Sequence, residues 1–234
     1  MTESIDAATA GDAVKPQGAG ERTTVETPGD GGMSVEDIRA AYADYAGWVD
    51  RLGWVNRLFT GRYRREQFGD ARGRVLDVAC GAGTNFRYLP ASTDVVGVDV
   101  SPEMLDSARA ELDRLGRDGQ VHEMNAQAMT FDDDAFDTVI SSFSTCTFPD
   151  PVAALREMER VCAPEGRILL LEHGRSDVGP IARYQEWRAD AHYEKAGCRL
   201  TQEPLSVVRR AGLPIETWEK AQFGRITAIT ATPR

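Results

Sequence analysis

Two acids and two glycines of this chain are spaced as a nucleoside-binding site needs them. In Val75-Leu76-Asp77-Val78-Ala79-Cys80-Gly81-Ala82-Gly83-Thr84 an apolar run ends in a glycine turn. About twenty residues later, Val95-Val96-Gly97-Val98-Asp99 repeats the apolar run and ends on an acid. A buried parallel strand reads as a continuous Val/Leu/Ile run, glycines let the backbone approach a ligand, and an acid ending the next strand can bond ribose hydroxyls. Phe86 stands where the dinucleotide fingerprint places its third glycine, which counts against NAD or FAD. Asp77 adds a carboxylate at the strand end, where it would repel a pyrophosphate and favour a cation or amine.

His173 directly follows the apolar run Ile168-Leu169-Leu170-Leu171-Glu172, so a strand there delivers it to the edge where open α/β sheets bind ligands. A neutral imidazole at pH 7 suits proton abstraction. An imidazole bonded to a neighbouring loop has the same sequence signature, and both readings stand. His192 falls in a helical stretch and His122 inside a strand, where a structural role is expected. Cys80, Cys146, Cys162 and Cys198 are far apart, with no Cys-x-x-Cys pair to suggest zinc or a redox centre. They read as reduced and buried, and no metal is expected.

The elements that must position these residues follow in order. Residues 1–32 combine Gly, Ala, Thr and Pro with acids, a composition that cannot offset its chain entropy by apolar burial, and are expected to form a disordered acidic tail. A single domain is expected over 33–234. Ser34, with Asp37 three residues on, opens a helix as a capping box, and Tyr42, Tyr45, Trp48, Val49, Leu52, Val55, Leu58 and Phe59 follow at helical spacing. Strands are expected near 73–79, 94–99, 120–125, 136–141 and 167–172, with a helix over 84–89. Further helices start at Pro102, capped by Ser101, and at Asp150-Pro151. A helix-rich insertion over 180–211 precedes two last strands near 214–220 and 224–232. Alternating strands and helices predict a doubly wound α/β sheet with ligands at the carboxyl ends of its strands.

At these residues the chain resembles the class I S-adenosylmethionine-dependent methyltransferases, whose glycine motif reads Asp/Glu-x-x-x-Gly-x-Gly and whose second strand ends in an acid. The resemblance covers about 73–175 and, more loosely, 34–72 and 176–234. It implies a Rossmann-like sheet, mostly parallel with an antiparallel C-terminal strand, helices on both faces, lid helices over 33–72 and a substrate-side helical insertion over 176–211. It implies S-adenosylmethionine as cofactor, contacted by Asp77, Ala79, Gly81, Gly83, Asp99, Val100, Met104, Asn125, Ala126 and Ser142, with Tyr42 or Tyr45 covering it. Among these, Asp77 and Gly83 would lie near the methionine portion, Asp99 would bind the ribose diol and Met104 would face the adenine. Asn125-Ala126 replaces the usual acid-Ala pair; Asn125 either accepts from the adenine amine or forms a turn.

The segment Ser141-Ser142-Phe143-Ser144-Thr145-Cys146, where methyl transfer would occur, lacks both the Asn/Asp-Pro-Pro-aromatic run and the Pro-Cys nucleophile of base methyltransferases. Cys146 is expected in a core or pocket wall, because direct transfer from a sulfonium needs no covalent intermediate. Phe143 to Pro151, Leu171 to Arg175 and Ala196-Gly197-Cys198-Arg199-Leu200 look like the branch acting on quinone rings, phospholipid amines and small thiols. His173 would then be the catalytic base, and Trp187, Tyr184, Tyr193 and Leu205 would wall an apolar pocket or belong to the core. The function expected is methyl transfer to a small, partly apolar acceptor, with a quinone-precursor C-methyltransferase or a non-catalytic S-adenosylmethionine-binding protein as alternatives.

Composition narrows the partners. A chain of 234 residues with 41% apolar and 27% charged residues is ordinary for a soluble globular domain. No apolar run approaches the ~18 residues of a membrane span, and the start lacks the regions of a signal peptide, so a cytoplasmic location is expected, with peripheral membrane contact and a monomer or homodimer left open. The net charge of -10 argues against nucleic acid as a partner. Only three of the 27 basic residues are lysines (Lys15, Lys195, Lys220), which with the acid excess resembles proteins of salt-loving archaea, although a high-GC genome produces the same arginine bias. If the composition marks a halophilic protein, screening of surface carboxylates should raise the melting temperature as potassium chloride approaches molar levels. A melting temperature independent of salt would leave only the genomic explanation.

Overall fold

A computed structural model of the chain describes residues 33–234, with the side chains of 43–57 excepted. The expected tail over 1–32, and the side chains of Tyr45, Trp48, Val49, Leu52 and Val55, lie outside the described residues. The chain opens on a long helix, α1 (Val35–Phe68), where the expected lid helices are one element. Its start is the capping box: Ser34 Oγ accepts from the Asp37 N–H at 3.2 Å, and Asp37 accepts from the Ser34 N–H at 2.9 Å.

Strand β1 (Arg74–Val78), β2 (Asp94–Asp99), helix α2 (Pro102–Leu115) and β3 (Gly119–Glu123) follow, then β4 (Phe136–Ser142), α3 (Pro151–Val161) and β5 (Cys162–His173). Helices α4 (Gly179–Ala196) and α5 (Pro204–Ala211) form the insertion, and β6 (Ile215–Ala221) and β7 (Ile226–Ala231) end the chain. The seven strands run in the order β3-β2-β1-β4-β5-β7-β6. Strands β1 to β5 pair in parallel, and β7 inserts antiparallel between β5 and β6. The chain therefore travels outward through β2 and β3, returns to the other side of β1 with β4, and so makes a switch point between β1 and β4, where open α/β sheets bind ligands.

Two apolar layers cover the sheet. Leu76, Val78, Val139, Ile168 and Leu170 face Leu155, Met158, Val207 and Val208 of α3 and α5. On the opposite face Val75, Ile140, Leu169 and Leu171 meet Phe68 of α1, Leu105 and Ala108 of α2, and Phe86. Strands buried on both faces explain the continuous apolar runs of the sequence. Among the described residues no helix is long and apolar enough to cross a membrane.

The helix expected over 84–89 is instead a single 3-10 turn, Phe86–Tyr88. Gly83 sits at φ +71°, and a Cβ built there would lie 2.5 Å from the Phe86 ring, which is fully buried beneath the glycine loop. The Arg117 guanidinium donates to the carbonyls of Phe86, Leu89 and Pro90 at 2.8–2.9 Å, satisfying groups that a continued helix would have bonded internally. The missing third glycine and the missing helix thus share one cause, the Phe86 ring that fills the space under the loop. Strand β5 begins five residues earlier than expected, at Cys162 rather than Arg167, and reaches Phe136 of β4 through a register shift.

Candidate active site

At the carboxyl ends of β1, β2 and β4 lies a pocket of about 220 Å³. Ala79, Gly81, Asp99, Val100, Met104, Asn125, Ala126 and Ser142 line it, as do Tyr42, Arg64 and Asn85. Of the ten cofactor contacts expected from the sequence, eight are brought to this one place. Asp77 and Gly83 are not: Asp77 lies fully buried beneath the pocket wall, and Gly83 is a packing position against Phe86.

Asp99 ties three elements together. One carboxylate oxygen accepts from the Gly81 N–H at 2.9 Å and the other from the Ser101 N–H at 3.0 Å, while Ser101 Oγ caps α2 by accepting from Met104. Each oxygen keeps capacity for a further donor, which is what a ribose diol requires. Burial pushes the Asp99 carboxyl above its ordinary pKa, against the bonds from Ser101, Gly81 and Val100. Gly81 adopts φ +52° with open space where a Cβ would be, so a ligand can approach its backbone closely. The Asn125 amide oxygen accepts from the Gln127 N–H at 2.9 Å, which makes the turn and leaves its second lone pair for another donor.

Beneath the pocket, the Asn85 amide donates to both Asp77 oxygens at 3.0 and 3.1 Å. Arg64, projecting from α1, donates to Asn85 Oδ1 and, at 2.6 Å, to Ser142 Oγ. The pattern of α1 carried no signal for Arg64, because an arginine on a helix is ordinarily solvated. Burial lowers its guanidinium to about 10, against the charge of Asp77, and pushes Asp77 up to about 7, against Asn85 and Arg64 and helped by Asp99.

A second cavity, of about 810 Å³, adjoins the first and shares Tyr42, Arg64 and Phe143 with it. His173, Gln185, Arg188, His192, Lys195, Cys198 and Arg225 contribute to its wall. Trp187, Tyr184, Tyr193 and Leu205, which the sequence offered as pocket or core, do not line it: Trp187 and Tyr184 are exposed, Tyr193 accepts from the Met33 N–H, and Leu205 belongs to the core beneath α5. His173 Nε2 points at two sulfurs, Cys146 at 3.1 Å and Cys198 at 3.2 Å. Nε2 of the expected base is thus engaged with sulfur, and cysteines 52 residues apart in sequence meet at one imidazole. His122 packs edge-to-face on Phe131.

The raised Asp77 pKa has a sign that can be measured. Between the unfolded value of 3.8 and about 7, the folded state holds a proton that the unfolded chain has lost, so the Asp77 contribution to stability declines as pH rises through that window. Asp77→Asn keeps an oxygen toward Asn85 and removes the titration. Denaturant unfolding between pH 5 and 8 should therefore show a flatter decline in the variant, by a few kcal/mol at about 1.36 kcal/mol per unit. Parallel slopes for the two proteins would show that Asp77 is not the titrating group.

Comparison with known proteins agrees with this geometry. Residues 76–170 match the methyltransferase domain family model. The chain is 32% identical over 151 residues to a phosphatidylethanolamine N-methyltransferase of Cereibacter sphaeroides, covering 59% of this chain and 72% of that protein. It is 38% identical over 116 residues to the ubiquinone/menaquinone biosynthesis C-methyltransferase UbiE of Pasteurella multocida, covering 47% of this chain and 43% of that one. A SAM-dependent methyltransferase from Thermotoga maritima superposes with a TM-score of 0.64 at 19% identity, covering 84% of this chain and all of its own. The chain therefore belongs to the class I S-adenosylmethionine-dependent methyltransferases.

Proposed function

We propose that the enzyme passes the methyl group of S-adenosylmethionine to a small, partly apolar acceptor, lipid-, quinone- or thiol-like, that carries an anionic group and sits in the larger cavity. The observation that carries this reading is the wall of that cavity. It presents Arg64, Arg188, Lys195 and Arg225 beside Phe59, Phe143, Leu200 and Ile226, and among the described residues no carboxylate lines it. In a chain of net charge -10, a cavity whose charged lining, among the described residues, is cationic selects for an anion by Coulomb attraction in a partly desolvated space.

Because the two cavities share Tyr42, Arg64 and Phe143, a methyl group leaving the first crosses into the second at that boundary. Holding acceptor and sulfonium in line there supplies about 7–11 kcal/mol of the barrier. With His173 Nε2 turned toward the cysteines, proton abstraction is secondary, which suits an acceptor whose nucleophilic atom is already ionised. The similarity to UbiE favours a second reading, methylation of a quinone-ring carbon, and the position of the label in the product separates the two.

Asp99→Ala should lose two charge-assisted hydrogen bonds to the ribose, about 1.5–3 kcal/mol, or roughly a ten- to 150-fold weaker cofactor dissociation constant by calorimetry. An unchanged constant would remove Asp99 from the site. For the acceptor, labelled cofactor and a panel of matched anionic and neutral lipids, phenols and thiols should give transfer to the anionic members. Arg188→Gln and Arg225→Gln should raise the acceptor KM by about tenfold with cofactor affinity intact. Equal turnover of the neutral members would overturn the anionic assignment.

A further inference from the structure

We propose that Cys146, His173 and Cys198 form a binding site for one divalent ion of the zinc class, held by two thiolates and one imidazole, with its fourth position open to the larger cavity. The three donor atoms lie within 4.8 Å of one another. They make a near-equilateral triangle: Cys146 Sγ to His173 Nε2 is 3.1 Å, Cys198 Sγ to Nε2 is 3.2 Å, and sulfur to sulfur is 3.4 Å. With bonds of about 2.3 Å to sulfur and 2.0–2.1 Å to nitrogen, a tetrahedral ion spans donor edges of roughly 3.5–3.8 Å. Spreading the triangle by a few tenths of an ångström seats the ion just above its plane.

Three separate elements converge to make the triangle. Cys146 comes from the loop after β4, His173 ends β5, and Cys198 follows Gly197, which closes α4 in the left-handed conformation at φ +63°. Arg199 locks the two cysteines together: its backbone N–H donates to the Cys146 carbonyl at 3.0 Å, and its guanidinium donates to the carbonyls of Cys146 and Phe148. Both cysteines are buried and His173 is partly so, which shields the donors from competing water. The sulfur separation is far from the ~2.05 Å of a disulfide, so the pair stands as thiols.

Chemistry supports the placement. Two soft sulfurs and one imidazole nitrogen are a donor set that zinc takes in preference to hard oxygen-seeking cations. Binding sends the protons of both thiols, and any proton on His173 Nε2, to solvent, while Nδ1 keeps the ring proton. His173, Cys198 and His192 all line the larger cavity, so the fourth position opens there, an arrangement that distinguishes reactive zinc sites from closed structural ones. An ion so placed would accept water or a soft acceptor atom such as a thiolate at that position. The site is independent of the acceptor reading, because metal uptake is measured on the protein alone.

The experiment is metal titration of the full chain, purified under reduction and stripped with chelator. Zinc should bind at one ion per chain and raise the melting temperature, and cobalt should bind with the visible bands of a tetrahedral thiolate complex. Cys146→Ser and Cys198→Ser should each lose the cobalt bands and most of the zinc-induced shift, and Cys162→Ser, whose sulfur lies in the core under α3, should keep both. Circular dichroism of each variant confirms that it folds; should a serine variant fail to fold, His173→Gln with the same cobalt readout takes its place. No uptake by the folded, reduced protein, or cobalt bands that persist in the folded Cys146→Ser and Cys198→Ser proteins, would overturn the site.

Discussion

A buried carboxylate that must not be left unpaired organises the ligand edge of this sheet. Asp77 is fully buried on β1, and an ion in that position costs several kcal/mol unless hydrogen bonds meet it. Asn85 meets both oxygens, Arg64 and Ser142 meet Asn85, and the chain of contacts thereby joins β1, the glycine loop, β4 and α1. The family resemblance put Asp77 against the cofactor. Buried behind Asn85, it is the anchor of the residues that line the pocket. Arg64 is also the reason that α1 lies along the mouth of the site, since its guanidinium reaches bonds that no solvated arginine would have.

From that anchor the division into two cavities follows. Ala79 and Phe143, on the chain just past β1 and β4, both adopt φ +55°, a conformation that non-glycine residues take at a cost of order 1–3 kcal/mol. They flank the switch point from its two sides. At Phe143 the turn sets the ring 5.1 Å from the Arg64 guanidinium and nearly parallel to the His173 imidazole, at 6.3 Å between centroids. Arg64, Phe143 and His173 therefore form one stacked wall, with the switch-point pocket on one side and the larger cavity on the other. Glu172, buried behind it, accepts from the Ser144 N–H at 3.2 Å and holds the loop that carries Phe143.

What could be read from the sequence was what depends on local pattern. Strands buried on both faces give unbroken Val/Leu/Ile runs, Ser34, Ser101 and Asp150 announce helix starts through their caps, and the spacing of Gly81 and Asp99 specifies a turn between parallel strands. That alternation predicted a doubly wound sheet with its pocket at the strand ends, while the order of the strands came only with the structure. Side chains that act through long-range meetings were not legible. Arg64 reaches Ser142 across 78 residues, and Cys146 meets Cys198 across 52, so neither pairing leaves a trace in spacing. The helix expected over 84–89 failed for a related reason: local propensity was outweighed by Phe86 burying its ring under Gly83, a tertiary contact.

The distribution of charge separates the surface from the site. A net charge of -10 repels anions from the molecule as a whole, and a polyanion that must lie along an extended surface meets that repulsion over its full length. A small anion entering the cavity meets a different field. The wall there carries Arg64, Arg188, Lys195 and Arg225, while the outer carboxylates are screened within about 8–10 Å of salt solution. The proposed acceptor is therefore a compact anion rather than an extended one. Apolar residues in the same wall, Phe59, Leu200 and Ile226, add the second requirement, a body that prefers them to water. On that proposal the acceptor is amphipathic, and Phe143, which lines both cavities, borders the atom that receives the methyl group.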